Sequence, residues 1–124
     1  MSYFGIHNHT AQGSNLRLRD STNKISDIIN YAHSLGHSGI VFTEHEAITS
    51  HLDALKYYNS VKDDENWKDF KVALGNEIYL CNKSVCAENI GNNRYSHFIL
   101  VALDALGHKC IRELSTKSWT QNSF

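Results

Sequence analysis

Proline is absent from the sequence, methionine occurs once and cysteine three times. No proline-marked linker, internal repeat or low-complexity stretch divides the chain, and its 124 residues are the length of one ordinary domain. Cys81, Cys86 and Cys110 lack the paired spacing of a zinc ribbon. An odd number of cysteines in a chain without secretory features reads as free thiols. No apolar run approaches the roughly 20 residues that span a bilayer, and the N-terminus shows no basic segment leading into an apolar one. The expectation is a cytoplasmic protein with no membrane partner. Neither sign of charge is in excess. The formal net charge is −1, which argues against a module held on nucleic acid by bulk positive charge, so any DNA contact has to be local. The chain is 41% hydrophobic and 20% charged, a balance that lets it bury a core instead of remaining disordered.

What the sequence does have is histidine, eight in all. Enrichment alone means little; position decides. Tyr3 to His7 reads as a short strand leading into a polar stretch, where Ser21, Thr22 or Asn23 can cap a helix. Ile25, Ile28, Ile29, Ala32 and Leu35 follow at helical spacing, and Gly36 stops that helix. Gly39 to Thr43 is a continuous apolar run suited to a strand buried on both faces. A second helix is expected over about Ser50 to Val61, with Leu52, Leu55, Tyr58 and Val61 on one side. Phe70 to Leu74 reads as a third strand that Ile78 to Cys81 continues or follows. Asn82 to Arg94 is loop-like, with a turn at Gly91, Asn92 and Asn93. Tyr95 to Leu103 reads as a fourth strand and His108 to Lys117 as a last helix. Alternation of this kind implies an α/β fold with parallel strands joined by crossovers.

The polar residues fall at the strand exits. His7 and His9 leave the first strand, His45 follows the second, Glu77 follows the third, and His97 lies near the start of the fourth run. In a parallel barrel these ends converge on one face. Side chains at i and i+2 of an extended chain point to the same side, so His7 and His9 can reach one metal ion or two neighbouring ones. Imidazole with carboxylate suits zinc, manganese or iron. Arg17, Arg19 and Lys24 form a small basic cluster that can hold a phosphate through charge-assisted hydrogen bonds or remain a solvated loop. Glu46 reads either as a support for the site or as a helix N-terminal charge. His33, His37 and His108 read as surface residues, and His51 as facing solvent or bordering the site.

Four segments in order resemble the PHP (polymerase and histidinol phosphatase) family. His7-Asn8-His9-Thr10 is similar to its His-x-His-Thr/Ser opening, and Thr43-Glu44-His45-Glu46 to its Thr-Asp-His motif. Gly75-Asn76-Glu77 resembles its Gly-x-Glu, and Tyr95 to Leu100 its later strand bearing one histidine. Leu35 to Gly39 and Leu103 to Leu114 look like the branch at the N-terminus of DNA polymerase III alpha subunits.

The resemblance implies the N-terminal portion of a distorted (β/α)7 TIM-like barrel with up to three divalent metal ions. It implies phosphoester hydrolysis, proposed as proofreading of DNA 3′ ends, or a structural role where ligands are lost. A small-molecule phosphatase of the histidinol-phosphatase type is the other enzymatic reading. Carried over by position, the ligands are His7, His9, His45, Glu77 and His97. Asp20 matches an aspartate that follows the opening motif, with 15–19 resembling an insertion; helix capping is its alternative role. Glu44 stands where the family has aspartate, which bears on how it orients the ligands. The family's later cysteine or histidine and its closing Asp-x-His have no counterpart in the 124 residues. The DNA and the remainder of a polymerase are the implied partners. About four strands leave a barrel sheet unclosed, so marginal stability or self-association is expected.

Overall fold

The computed structural model describes residues 3–15, 18–80 and 96–121, and every structural statement below concerns these. The chain forms strand β1 (Phe4–Gly5), helix α1 (Ala11–Ser14), helix α2 (Ile25–Ser34), strand β2 (Gly39–Phe42) and helix α3 (His51–Val61). A single 3-10 turn (Glu65–Trp67) then leads into strand β3 (Lys71–Leu80), strand β4 (Ser96–Val101) and helix α4 (Ala105–Gln121). The strands form one open sheet in the order β1-β2-β3-β4. The expected loop over Asn82–Arg94, together with Cys81, Cys86 and Arg17, lies outside the described residues.

Strands β1, β2 and β3 are parallel, with Phe4 opposite Gly39 and Gly39 opposite Lys71. The alternation of elements predicts this, because a parallel pair requires a crossover and α2 and α3 supply the two. Strand β4 departs from the prediction. It runs antiparallel to β3, from Gly75 opposite Val101 to Leu80 opposite Ser96. An apolar run looks the same in either direction, so periodicity carries no sign for strand polarity. Strand β3 is also one ten-residue element, not a strand ending at Leu74. Its first half pairs with β2 and its second half with β4. Glu77 therefore lies inside a strand and not after one.

The core lies where α2 and α3 cover the parallel half of the sheet. Ile29 and Ala32 of α2, Ala54 of α3, and Ile40, Phe42, Phe70 and Leu74 from the sheet side form one buried cluster. Each fully buried Phe or Ile contributes about 1.5–3 kcal/mol. Helix α2 follows the expected spacing and ends at Ser34, with Gly36 at φ 73°. Its N-cap is Lys24, which makes no side-chain capping bond. Leu35 lies beyond the helix and is exposed.

Helix α3 keeps Leu55 and Tyr58 of its expected face against the core, but its first turn faces differently. Leu52 is 63% exposed, whereas His51 is 3% exposed and Ala54 is buried. The inward positions His51, Ala54, Leu55 and Tyr58 keep the i, i+3, i+4, i+7 pattern, and a histidine takes the first of them. His51 Nε2 donates to the Gly75 carbonyl at 2.8 Å, and its Nδ1 lies 3.0 Å from His108 Nε2. The reading of His51 as solvent-facing is thus corrected: a polar ring is buried there because both of its nitrogens are satisfied. His33 stacks on Trp67 with ring centroids 3.8 Å apart.

Candidate metal centre

Glu77 is the hub of a polar cluster. Its carboxylate is buried, and four imidazoles from three other segments face it. His45 Nδ1 lies 2.5 Å from Oε2 and His97 Nδ1 lies 2.5 Å from Oε1. His9 Nε2 stands 3.4 Å from Oε2 and His7 Nε2 3.9 Å from Oε1. The backbone imposes this convergence. Glu77 donates its N–H to the Glu44 carbonyl and accepts from the Glu46 N–H, forming a single parallel bridge with His45. Glu77 and Tyr79 share one face of β3, and Tyr79 pairs with His97 across to β4.

His7 and His45 are oriented from behind, as metal-bound histidines commonly are. His7 Nδ1 lies 2.9 Å from Thr43 Oγ1, which leaves Nε2 facing the cluster. Asn8 holds the β1 exit against β2 by donating to the carbonyls of Gly5 and Val41. His45 Nε2 lies 2.8 Å from Asp20 Oδ2, and its Nδ1 lies 2.8 Å from the Tyr79 hydroxyl. The rings of His9 and His45 stack with centroids 4.0 Å apart.

Glu44 is almost wholly buried and faces His9 Nδ1 at 3.8 Å, an ion-pair separation and not a hydrogen bond. Thr10 donates to it through its hydroxyl at 2.6 Å and through its backbone N–H at 3.1 Å. The longer glutamate fits because residue 13 is glycine. A Cβ on Gly13 would stand 2.0 Å from Glu44 Oε2, so the carboxylate occupies the space a side chain would fill.

The electrostatics follow from these contacts. The Glu44 carboxylate raises the His9 pKa against the opposing effect of burial, with Glu77 adding to the rise. Burial works to raise the Glu44 pKa, but His9 and Thr10 outweigh it and the net direction is down. Burial and the neighbouring His9 lower the pKa of His7. Hydrogen bonds from Ser14 and His45 hold the Asp20 carboxyl down to about 2.

The structure thus brings together His7, His9, Asp20, His45, Glu77 and His97, with Glu44 beside them. Asp20 does not cap a helix; Ser14 Oγ donates to its Oδ1 at 2.5 Å. Glu46 is buried in the turn after His45 and does not sit at the start of α3. Arg19 is exposed at φ 53°. Thr10 and Thr43 enter from sequence only as members of the two motifs, and Tyr79 and Ser14 are not singled out there. The available signal was spacing: Tyr79 is two residues from Glu77 on one strand face.

The donor set fits a divalent metal. His7, His9 and Glu77 each offer an atom within 4.8 Å of the others. Glu77 Oε2 and His9 Nδ1 are buried without a hydrogen-bond partner. At 2.5 Å, His45 Nδ1 faces Glu77 Oε2 while it already serves the Tyr79 hydroxyl. Imidazole nitrogens and carboxylate oxygens that converge at this spacing from separate strands form a donor set suited to a common cation.

A sheet flanked by crossover helices, carrying histidines and carboxylates at its strand ends, is the form of a PHP domain, and the chain belongs to that family: the PHP domain model matches residues 6–124. Its curated relatives are DNA polymerases. The DNA-directed DNA polymerase of Bacillus phage SPbeta is 36% identical over 127 aligned positions, which cover 97% of this chain and 9% of that protein. The DNA polymerase III alpha subunit of Borreliella burgdorferi is 29% identical, covering 100% of this chain and 10% of its own length. The chain thus spans about a tenth of these relatives. A solved structure from Bifidobacterium adolescentis, described as a candidate metal-dependent phosphoesterase, superposes with a TM-score of 0.58 at 16% identity. It covers 90% of this chain and 32% of that one, and at that identity it speaks for the fold.

Proposed function

We propose that this chain is the N-terminal, metal-binding part of a PHP phosphoesterase domain in a replicative DNA polymerase alpha subunit, acting on DNA 3′ ends. The observation that carries the reading is the buried Glu77 carboxylate faced by His7, His9, His45 and His97. His7, His9 and Glu77 would hold one ion, and His45, Asp20 and His97 extend the donor set toward further ions. Zinc, manganese and iron all suit imidazole and carboxylate. When bound, such a metal supplies Lewis acidity toward a phosphoryl oxygen and lowers the pKa of water.

The protein's own groups prepare that chemistry. Thr43 fixes which nitrogen His7 presents, Asp20 and Tyr79 fix the ring of His45, and Glu44 faces His9. The hydrogen bonds from Ser14 and His45 that hold the Asp20 carboxyl down to about 2 favour the carboxylate that faces His45. No serine or cysteine nucleophile is called for. No helix among the described residues is long and apolar enough to cross a membrane.

A second reading has its own support: a metal-stabilised module without catalysis, packed on the remainder of a polymerase. Phe98, Val101, Leu103, Leu106 and Leu114 of the β4–α4 region are each exposed, which leaves apolar side chains that a partner surface could cover. The test is elemental analysis of purified protein together with release of nucleotides from 3′-labelled DNA in manganese or zinc. Metal content that falls in both His9→Ala and Glu77→Ala, with hydrolysis lost in His45→Ala, supports the first reading. Bound metal without hydrolysis, even with the remainder of a polymerase present, supports the second. Unchanged metal content in both variants removes the ligand assignment altogether.

A further inference from the structure

We infer that helix α4 is a working part of the metal centre, with Ser115 and Trp119 as positioning residues that hold His45 through the Glu46 peptide; the inference rests on the reading of His45 as a ligand. Glu46 directly follows His45 and adopts φ 51°, a left-handed conformation unfavourable for a residue with a Cβ. It is held there from both sides. Its N–H donates to the Glu77 carbonyl at 2.7 Å, closing the bridge around His45. Its carbonyl accepts two hydrogen bonds from α4. Ser115 Oγ donates at 2.9 Å and the Trp119 indole Nε1–H at 2.8 Å.

Ser115 and Trp119 are i and i+4, one above the other on the same helix face, so a single face presents both donors to a single oxygen. Packing of α4 alone would not require this. Ile111 already supplies a buried apolar contact on that helix, and a helix held only by packing has no reason to aim two polar groups at one carbonyl. Downstream of the turn, Asn76 donates to the Ala47 carbonyl at 2.7 Å, so the peptide path is pinned on either side of the unfavourable residue. If the α4 donors are lost, Glu46 is free to relax toward an ordinary conformation. The peptide joining it to His45 then rotates, and the imidazole leaves the positions set by Glu77, Asp20 and Tyr79. The donors lie 69 and 73 residues beyond Glu46 in sequence, so no local motif announces them.

The experiment is calorimetric titration of the metal-free full chain with zinc or manganese, for wild type, Trp119→Phe, Ser115→Ala, Glu46→Asn and Glu46→Asn/Trp119→Phe. Melting of the chelated proteins reads the fold separately. Removing either donor is expected to weaken metal affinity about tenfold or more, as loss of a ligand-orienting contact does. Asparagine tolerates the left-handed region, and the Glu46 carboxylate also accepts from Ser118 Oγ at 3.4 Å. Glu46→Asn alone is therefore the reference, against which Glu46→Asn/Trp119→Phe is expected to show little further loss of affinity. Wild-type affinity in both Trp119→Phe and Ser115→Ala overturns the inference. So does a Trp119→Phe loss that is as large in the Glu46→Asn background as in wild type, since α4 would then act through packing alone. Absence of metal binding by the wild-type chain overturns the ligand reading itself and the inference with it.

Discussion

The two halves of strand β3 make opposite use of one stretch of backbone. From Lys71 to Leu74 it pairs with β2 and contributes Leu74 to an apolar cluster with Ile40 and Phe42. From Gly75 to Leu80 it pairs with β4, and the buried side chains become Asn76 and Glu77. Strand β2 makes the same change one residue past its end, from Phe42 to Thr43 and Glu44, all fully or almost fully buried. The lesson is that burial here does not sort by polarity. The dry half is held by area removed from water, and the polar half by partners for each charged or hydrogen-bonding atom.

If that contrast is sound, lesions in the two halves separate into stability and metal affinity. The largest effect is expected from Phe42→Ala, which empties a fully buried site in the dry half. Denaturant unfolding should show a loss of about 3–5 kcal/mol. A loss below about 1 kcal/mol would mean that the parallel half is not the structural core.

The next effect concerns the joint between the halves, where His51 donates to the Gly75 carbonyl. Burial pushes the His51 pKa down to about 4, from an ordinary 6.5, with His108 adding to the fall. The unfolded chain therefore takes up this proton first as pH drops. The contribution is complete above about pH 6.5 and is lost progressively toward pH 4. At 1.36 kcal/mol per unit it amounts to at most roughly 3 kcal/mol. Unfolding midpoints of metal-free protein across that window should fall more steeply in wild type than in His51→Gln. Parallel curves would detach the joint from the pH response.

Gly13→Ala sharpens the polar side. The added methyl collides with the Glu44 carboxylate, which displaces the group facing His9. Metal affinity measured by titration should weaken about 10- to 100-fold. Unchanged affinity would show that Glu44 is not needed to orient His9. The smallest effect is expected at Cys110, which is free and exposed. Cys110→Ser should shift stability by less than about 0.5 kcal/mol and leave metal binding unaltered, and a larger shift in either would bring that thiol into one of the two halves.

The ligand-type residues were legible in the sequence because strand exits are readable from where an apolar run stops. His7, His9 and His45 follow that rule. Glu77 was picked out by the end of the apolar run at Leu74, although its strand continues to Leu80, and Asp20 and His97 entered as ligands through family resemblance. What could not be read depended on partners. The polarity of β4 is set by which strand it meets, and nothing in Ser96 to Val101 encodes that. Gly75 looked like a break, yet two ladders meet there and the strand continues. His51 looked exposed because imidazole beside Leu52 invites the leucine inward. The ring is tolerated inside only because Gly75 and His108 satisfy it. The role of α4 was hidden for the same reason: Ser115 and Trp119 act on a residue far away along the chain.

The indole of Trp119 has an optical consequence. The sequence carries two tryptophans, and they stand in different surroundings. Trp67 is stacked face to face on His33, on the 3-10 turn and not in the histidine cluster. Trp119 is 54% exposed, and its N–H rests on the carbonyl next to His45. Emission from Trp119 should therefore shift whenever that carbonyl moves, while Trp67 contributes its own emission to the same spectrum. The molecule carries its own fluorescent gauge of the His45 turn, readable in a Trp67→Phe background without any added label.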